Sequence, residues 1–385
     1  MNFQLTEDQR ALQDTARRFA RAELPDLARE LEEKDEPVSD EMRRRYAKMG
    51  FLGVNHPVKY GGLGLGNLEA LIVLEEFARI SGAVAFPVFE ALVGPVKAIQ
   101  RFGGDDLKGR ILPKVAAGEM QVSVAMSEPD AGSGLTDLST KAAETADGWV
   151  LDGHKRWTSG SGHAEGYVVY CRMSEQKGAK GIGALYVDKD ADGVGFGLRE
   201  NLMGFRGIPT RDIHFDSVAV PRENLIVPAG GFGKLMEAFD LERCGNATMS
   251  LGVAAGALEE VLAYVQERKQ FGREIVEFQA VQLRLAEMAT KVEAARLLIH
   301  RAASNAEGMP SILDSSIAKC FANEMTREVC GAAVQLMGGY GYHKGFGMEQ
   351  RLRDSWAWGI AGGAIDIQKI NIAAALVGRR FNQRG

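Results

Sequence analysis

Cysteine is scarce: the four in this 385-residue chain, Cys171, Cys244, Cys320 and Cys330, include no CxxC pair. That spacing offers no thiolate cage or disulfide framework, and the four read as reduced core residues. The six histidines, His56, His154, His163, His214, His300 and His343, show no HxxxH or paired metal spacing and read as structural. Excess charge of one sign is also missing. The 46 basic and 51 acidic residues are interspersed, for a net charge of -5, so no broad basic face exists to neutralise phosphates. Nucleic acid is excluded as an expected partner. No uninterrupted apolar run approaches the roughly 18 residues of a membrane span. The opening MNFQLTEDQR turns directly into a charged amphipathic pattern, without the apolar stretch and cleavage site of a secretory signal. The expectation is a cytoplasmic protein with no membrane partner. Repeats at solenoid spacing and low-complexity segments are lacking too.

What is there is an ordinary globular composition, 45% hydrophobic and 25% charged, long enough for two or three compact domains. Thr6-Glu7-Asp8-Gln9 has the form of a capping box and predicts a helix start. Helical patterns continue to about Gly118, broken at Pro37, at His56-Pro57 and at Gly61-Gly62-Leu63-Gly64. From Gln121 to about Leu225 the texture becomes β-branched and aromatic, as in Tyr167-Val168-Val169-Tyr170 and Ala184-Leu185-Tyr186-Val187. Turn pairs such as Asp147-Gly148 and Asp192-Gly193 separate these runs, which predicts antiparallel hairpins. After Pro228 and Gly230-Gly231 helical periodicity returns. Its clearest stretch, Phe278, Val281, Leu285, Met288, Val292, Ala295 and Ile299, places one apolar stripe on one helix face. The pattern predicts an α+β protein: an N-terminal helical domain over 1–118, a central β domain of antiparallel hairpins over 119–227 and a C-terminal helical domain over 228–385.

Two segments point to chemistry. Ser127-Glu128-Pro129-Asp130-Ala131-Gly132-Ser133 opens the β region, and its small residues and hydroxyls suit a phosphate or a heteroaromatic edge, although alone it reads as a surface turn. Read with Lys155-Arg156-Trp157-Thr158-Ser159-Gly160-Ser161-Gly162, it resembles the "TEPxAGS" and "KxWITNG" signatures of acyl-CoA dehydrogenases. The resemblance continues through Met203 to Thr210, Val220 to Asn224, Glu267-Arg268-Lys269-Gln270-Phe271-Gly272, Gln279 and Gln335-Leu336-Met337-Gly338-Gly339-Tyr340-Gly341-Tyr342. These blocks keep the family's order and spacing across nearly the whole chain.

The resemblance implies a central antiparallel β-barrel-like domain, a C-terminal four-helix bundle and FAD as cofactor. Ser127 matches a residue bonding the flavin pyrimidine edge, Trp157 an aromatic flanking the isoalloxazine, and Ser159 a hydroxyl reaching the N5 region. Ser133 would lie near the pyrophosphate and the CoA. Arg268, Gln279, Gly338 and Gly339 match positions holding the FAD of a neighbouring subunit, and Phe271 and Gln335 from the same blocks are further candidate cofactor contacts. An FAD site shared between chains argues against an isolated monomer as the active form, and the assembly the resemblance implies is a homotetramer. Outside the family context an Arg in such a run reads as solvated and a Gly-Gly pair as a helix stop.

The family's reaction takes an α-proton and a β-hydride from an acyl-CoA. A carboxylate with a pKa near about 4.3 is a poor base for so weak an acid, and each unit of mismatch costs about 1.36 kcal/mol. Burial, and hydrogen bonds to the thioester oxygen as charge develops, must close the gap. Many members carry the base in a "YEGT" motif. Here the matching run is Ile360-Ala361-Gly362-Gly363-Ala364-Ile365-Asp366, so glycine stands where the Glu would be. A second group, isovaleryl- and long-chain-type, draws Glu from an "ER" pair on an earlier helix, and Phe239-Asp240-Leu241-Glu242-Arg243 fits that arrangement. Glu242 is therefore the candidate base, against the common fate of a surface helix carboxylate. The Gly362 N–H remains a candidate oxyanion donor, and Asp240 and Arg243 would border the acyl-CoA path. Glu90 falls near the region that floors the acyl pocket and is a candidate substrate contact, although a solvent-facing position is the commoner expectation. Ala364 and Asp366 replace the family's Thr and Gln and alter two polar contacts to the cofactor. The electron acceptor implied is an electron-transfer flavoprotein. Two alternatives stand beside this reading: a non-oxidative enzyme resembling 3-sulfinopropionyl-CoA desulfinase, which carries Gln rather than Glu before the Arg, and a flavin-binding paralogue without catalysis.

Overall fold

A computed structural model describes residues 3–304 and 308–381. Seven α-helices precede the first strand among the described residues: α1 (Glu7–Glu23), α2 (Pro25–Lys34), α3 (Asp40–Lys48), α4 (Asn67–Ala78), α5 (Gly82–Leu92), α6 (Val96–Phe102) and α7 (Asp105–Ala116). Thr6 caps α1 reciprocally: its hydroxyl accepts from the Gln9 N–H at 3.2 Å, and the Gln9 side chain accepts from the Thr6 N–H at 2.9 Å. Helices α4 and α5 show no polar face, because α4 is buried from Ala70 to Ala78 and α5 along its whole length. Glu75 and Glu76 survive inside α4 through ion pairs, Glu75 with Arg79 at 2.6 Å and Arg296 at 2.9 Å, and Glu76 with Arg17 at 2.9 Å.

Strands β1 (Val122–Ala125), β2 (Lys141–Glu144), β3 (Gly148–Ser159), β4 (Gly166–Arg172), β5 (Ile182–Asp188), β6 (Val194–Phe196), β7 (Thr210–Pro221) and β8 (Leu225–Val227) form one sheet, ordered β6-β7-β3-β2-β4-β5-β8 with β1 attached to β4. The pairing is mostly antiparallel, but β1 and β2 each run parallel to β4, which hairpin reasoning did not foresee. Strand β4 is buried on both faces. Its alternation sends Tyr167, Val169 and Cys171 into the core of the sheet domain, and Val168 and Tyr170 into the helical core.

The chain then enters α8 (Phe232–Glu267), the short hairpin β9 (Lys269–Gln270) and β10 (Arg273–Glu274), α9 (Gln279–Ser304), α10 (Ile312–Met337), α11 (Gly339–Tyr342), α12 (Met348–Asp354) and α13 (Ile365–Val377). The stripe on α9 is buried at Leu285, Met288, Val292, Ala295 and Ile299. Helix α8 is central, packing against α4, α9 and α10. Glycines let its neighbours close in: a Cβ on Gly245 would lie 2.3 Å from Val93, and one on Gly252 2.4 Å from Ala78. Two segments, Gly82–Phe102 and Phe232–Glu267, are long and apolar enough to cross a membrane, yet their most apolar windows are 100% and 67% buried inside the protein, as interior helices require.

Candidate active site

Glu242 lies on α8 and is only 7% exposed, which excludes the surface-carboxylate alternative. Its carboxyl group makes no ion pair or hydrogen bond among the described residues. Burial pushes its pKa up to about 8, with Lys319 and Arg243 pulling the other way. An unpaired, desolvated carboxyl with a raised pKa suits proton abstraction from a weak carbon acid. Glu90, on α5, is 3% exposed, so the solvent-facing expectation for it is wrong: α5 has no face that reaches water. Burial, and after it the charge of Glu242, holds the Glu90 carboxyl well above the usual carboxylate range. Ser123 on β1 is close enough to oppose that rise, but neither its Oγ nor Glu90 Oε2 has a partner in hydrogen-bonding geometry. From β4, Tyr170 faces the same centre; burial and then the Glu242 charge raise its phenol.

Gly362 adopts φ +62°, and a Cβ there would sit 2.5 Å from Asn246 Nδ2. Asn246 is one turn beyond Glu242, and its amide donates to the Glu242 carbonyl at 2.9 Å. The glycine that stands in the common base position is thus packed against the helix that carries Glu242. The Gly362 N–H finds no acceptor among the described residues. On the same helix Arg243 pairs with Asp240, whose carboxylate also accepts from Ser315 Oγ at 3.0 Å, and the guanidinium lies 5.2 Å from the Phe239 ring centre. Both charges are buried, and Arg243 Nε has no partner.

The two flavin-like motifs are pinned together by residues to which sequence reasoning assigned no role. Lys155 Nζ donates to Glu128 Oε1 at 2.8 Å and to the Met126 carbonyl at 3.0 Å. Glu128 also accepts from Ser139 N at 2.6 Å, Ser139 Oγ at 2.7 Å and Thr140 N at 3.0 Å. Burial alone would raise the Glu128 carboxyl, but Lys155 and these donors bring it down to about 2. Both residues lay inside the quoted motifs, so a signal existed; their pairing did not show in it. Beyond them the β3–β7 register shifts between Lys155 and Thr158, and Trp157 takes φ +61°. Such a bulge re-aims a side chain, and a positive φ on a bulky residue costs on the order of 1–3 kcal/mol. Trp157 emerges 52% exposed, with the Arg156 guanidinium 4.3 Å from its ring centre and anchored on Asp212 at 2.9 Å. Ser127 and Ser159 are half-buried and Ser133 exposed. A Cβ on Gly160 would lie 2.2 Å from Ser123 Oγ, so this motif glycine lets the strand approach β1.

A separate cleft of about 580 Å³ brings together Arg268, Gly338 and Gly339, beside Tyr264 and Tyr340. Arg268 lies 5.5 Å from the Tyr340 ring centre and has no ion pair or hydrogen-bond acceptor for its guanidinium among the described residues. Gly338 ends α10 with φ +59° and ψ -131°, a conformation that favours glycine. An uncompensated guanidinium beside glycine backbone suits an anion. The other residues of this set lie elsewhere: Phe271 is 93% exposed on the β9–β10 turn, Gln279 is exposed at the start of α9, and Gln335 lines another cleft of about 370 Å³. No hydrogen bond, ion pair or ring contact joins any of them to Ser127, Trp157 or Ser159 among the described residues. The described residues contain no group of three or more His, Cys, Asp or Glu that could hold a metal.

The chain matches the family models for the acyl-CoA dehydrogenase N-terminal domain over residues 6–119, the middle domain over 123–218 and the C-terminal domain over 229–377. It is 36% identical to the caffeyl-CoA reductase-Etf complex subunit CarC of Acetobacterium woodii, covering 97% of this chain and 99% of that one. It is 35% identical to a 3-sulfinopropanoyl-CoA desulfinase of Variovorax paradoxus, covering 99% and 97%. Among solved structures, butyryl-CoA dehydrogenase from Megasphaera elsdenii is similar with a TM-score of 0.94 at 30% identity, covering 98% of this chain and all of that one. An FAD complex of PigA is similar with a TM-score of 0.92 at 26% identity, covering 98% and 99%.

Proposed function

Because the chain belongs to the acyl-CoA dehydrogenase family, we propose that it is an FAD-dependent enzyme that desaturates an acyl-CoA thioester between its α and β carbons, with Glu242 as the base. The observation that carries the reading is Glu242 itself, buried without a partner and one turn from the residue that packs on Gly362. A rise from 4.5 to about 8 removes about 3.5 units of mismatch with the carbon acid, or about 5 kcal/mol of uphill proton transfer. At neutral pH a minority of molecules is still ionised and able to react.

The Gly362 N–H offers a donor to the thioester oxygen as negative charge develops there. Arg243 and Asp240 hold each other at the border of the acyl-CoA path. When bound, FAD supplies the acceptor for the β-hydride. The residues present fit it: Ser127, Ser133, Trp157 and Ser159 from one chain, and Arg268, Phe271, Gln279, Gln335, Gly338 and Gly339 from a second copy. The uncompensated Arg268 beside its glycine pair, and the outward-turned Trp157, are the features that support this division. An FAD site divided in this way needs at least two copies of the chain, and a homotetramer is the assembly the resemblance implies. Electrons leave to an electron-transfer flavoprotein, a choice supported by the relative named as part of an Etf complex.

Similarity to a desulfinase favours a second, non-oxidative reading. Glu242 counts against it, because the resemblance in that case carries Gln before the Arg. Anaerobic addition of a panel of acyl-CoA thioesters to the yellow holoenzyme tests the proposal. Bleaching by at least one member, abolished in Glu242→Gln, is the expected result; failure of every member to bleach the flavin rejects dehydrogenation.

A further inference from the structure

Lys319 lies about two turns into α10 with none of its surface exposed, among the largest fully buried side chains of the described residues. An ammonium there is costly, and among the described residues no carboxylate pairs with it. What it has is a cage of three neutral acceptors: the Trp358 carbonyl at 2.6 Å, the Ala361 carbonyl at 3.0 Å and Asn323 Oδ1 at 3.1 Å. A neutral amine has two N–H bonds to give. Three acceptors at these distances call for three, so the cage favours the protonated form, against burial that pulls the group downward and with the Glu242 charge raising it.

The cage reaches both halves of the candidate centre. Trp358 and Ala361 flank the turn that ends in Gly362, so the ammonium cinches that turn to α10. Asn323 donates in turn to Ser250 Oγ on α8 at 2.7 Å, two turns beyond Glu242. Gly362 packs on Asn246, which bonds to the Glu242 carbonyl. A neutral side chain could tie two carbonyls; the cation adds something a tether does not need.

We propose that Lys319 is a positioning residue that fixes the Gly362 turn and supplies the buried positive charge facing the ionised Glu242. The inference rests on the reading of Glu242 as base. Four elements present charge or titratable groups to Glu242: α10 brings Lys319, α8 brings Arg243, α5 brings Glu90 and β4 brings Tyr170. Arg243 is already engaged by Asp240, whereas Lys319 meets only neutral oxygens, so its charge is the uncommitted one.

The test is an infrared titration of the FAD-bound holoenzyme, with no acyl ligand added. It follows the protonated carboxyl C=O band that disappears in Glu242→Gln. In Lys319→Met the midpoint of that band should move to higher pH by about one unit or more, and in Lys319→Arg, which keeps the charge, it should stay closer to the wild-type value. A Lys319→Met midpoint unchanged from wild type overturns the proposal even if the variant is less stable, because a tether alone would not move it. Should Lys319→Met fail to fold, Lys319→Gln keeps donors for the carbonyls without the charge and is read in the same way. Substantial flavin reduction remaining in Glu242→Gln would reject the base itself, a separate failure that the wild-type titration does not share.

Discussion

Replacing Glu242 by Gln should stabilise the folded protein while removing its catalysis, and the gain should grow with pH. In the folded chain the carboxyl is pushed up from 4.5 to about 8, chiefly by burial. A carboxyl raised in this way contributes its stability below the unfolded value, near pH 4.5, and loses it as pH rises towards the folded value. Between those limits the wild type loses about 1.4 kcal/mol per pH unit relative to an amide that does not titrate. Against its value at pH 4.5, the difference should reach about 3 kcal/mol at pH 7 and level off at about 4 kcal/mol above pH 8. The assay is thermal unfolding of both FAD-loaded proteins in parallel across pH 4.5 to 9, with the difference in Tm as the readout. The difference should widen steadily in favour of Glu242→Gln up to about pH 8 and then stay flat. A difference independent of pH would mean that Glu242 titrates near its unfolded value, and the desolvation argument for the base would fall.

The same shift has a kinetic face: with a pKa of about 8, about one free enzyme molecule in ten is ionised at pH 7, so kcat/KM for anaerobic flavin reduction should rise about tenfold between pH 7 and 9. A profile that falls over this range refutes the assignment. Gly362→Ala should lower stability by about 1–3 kcal/mol, measured by denaturant unfolding, because it puts a Cβ at φ +62° only 2.5 Å from Asn246 Nδ2; no measurable loss would mean the turn relaxes freely. Arg268→Ala should release FAD during gel filtration, with the absorbance at the flavin band leaving the protein peak, whereas full retention would place the pyrophosphate elsewhere.

Much of the fold was legible wherever residue type or spacing names an element locally. The α9 stripe, the capping box at Thr6 and the β-branched runs of β4 and β5 each carry a local pattern that names the element. Where a helix is buried all round, its polar-apolar periodicity goes flat. Helix α5 is enclosed along its whole length, so nothing local distinguishes Glu90 from a carboxylate on a wet face, and its interior position emerged only from packing. The parallel pairing of β1 and β2 with β4 escaped for a related reason: turn residues announce hairpins, while strands joined through long connections leave no short-range mark.

The site divides along the same line. Residue identity and spacing determined by themselves that Ser127, Trp157, Ser159 and Gly338 belong to recurring motifs, that glycine stands at 362, and that a Glu-Arg pair follows the β region, since all of these are properties of neighbouring residues. Only tertiary structure decided that Glu242 is buried without a hydrogen bond or ion pair among the described residues, that Glu128 and Lys155 lock two motifs into one platform, and that Lys319 bridges the Gly362 turn to α10. Those facts depend on which distant segments remove water and which charges they bring, because desolvation and Coulomb interactions act through space and leave no periodic trace along the chain.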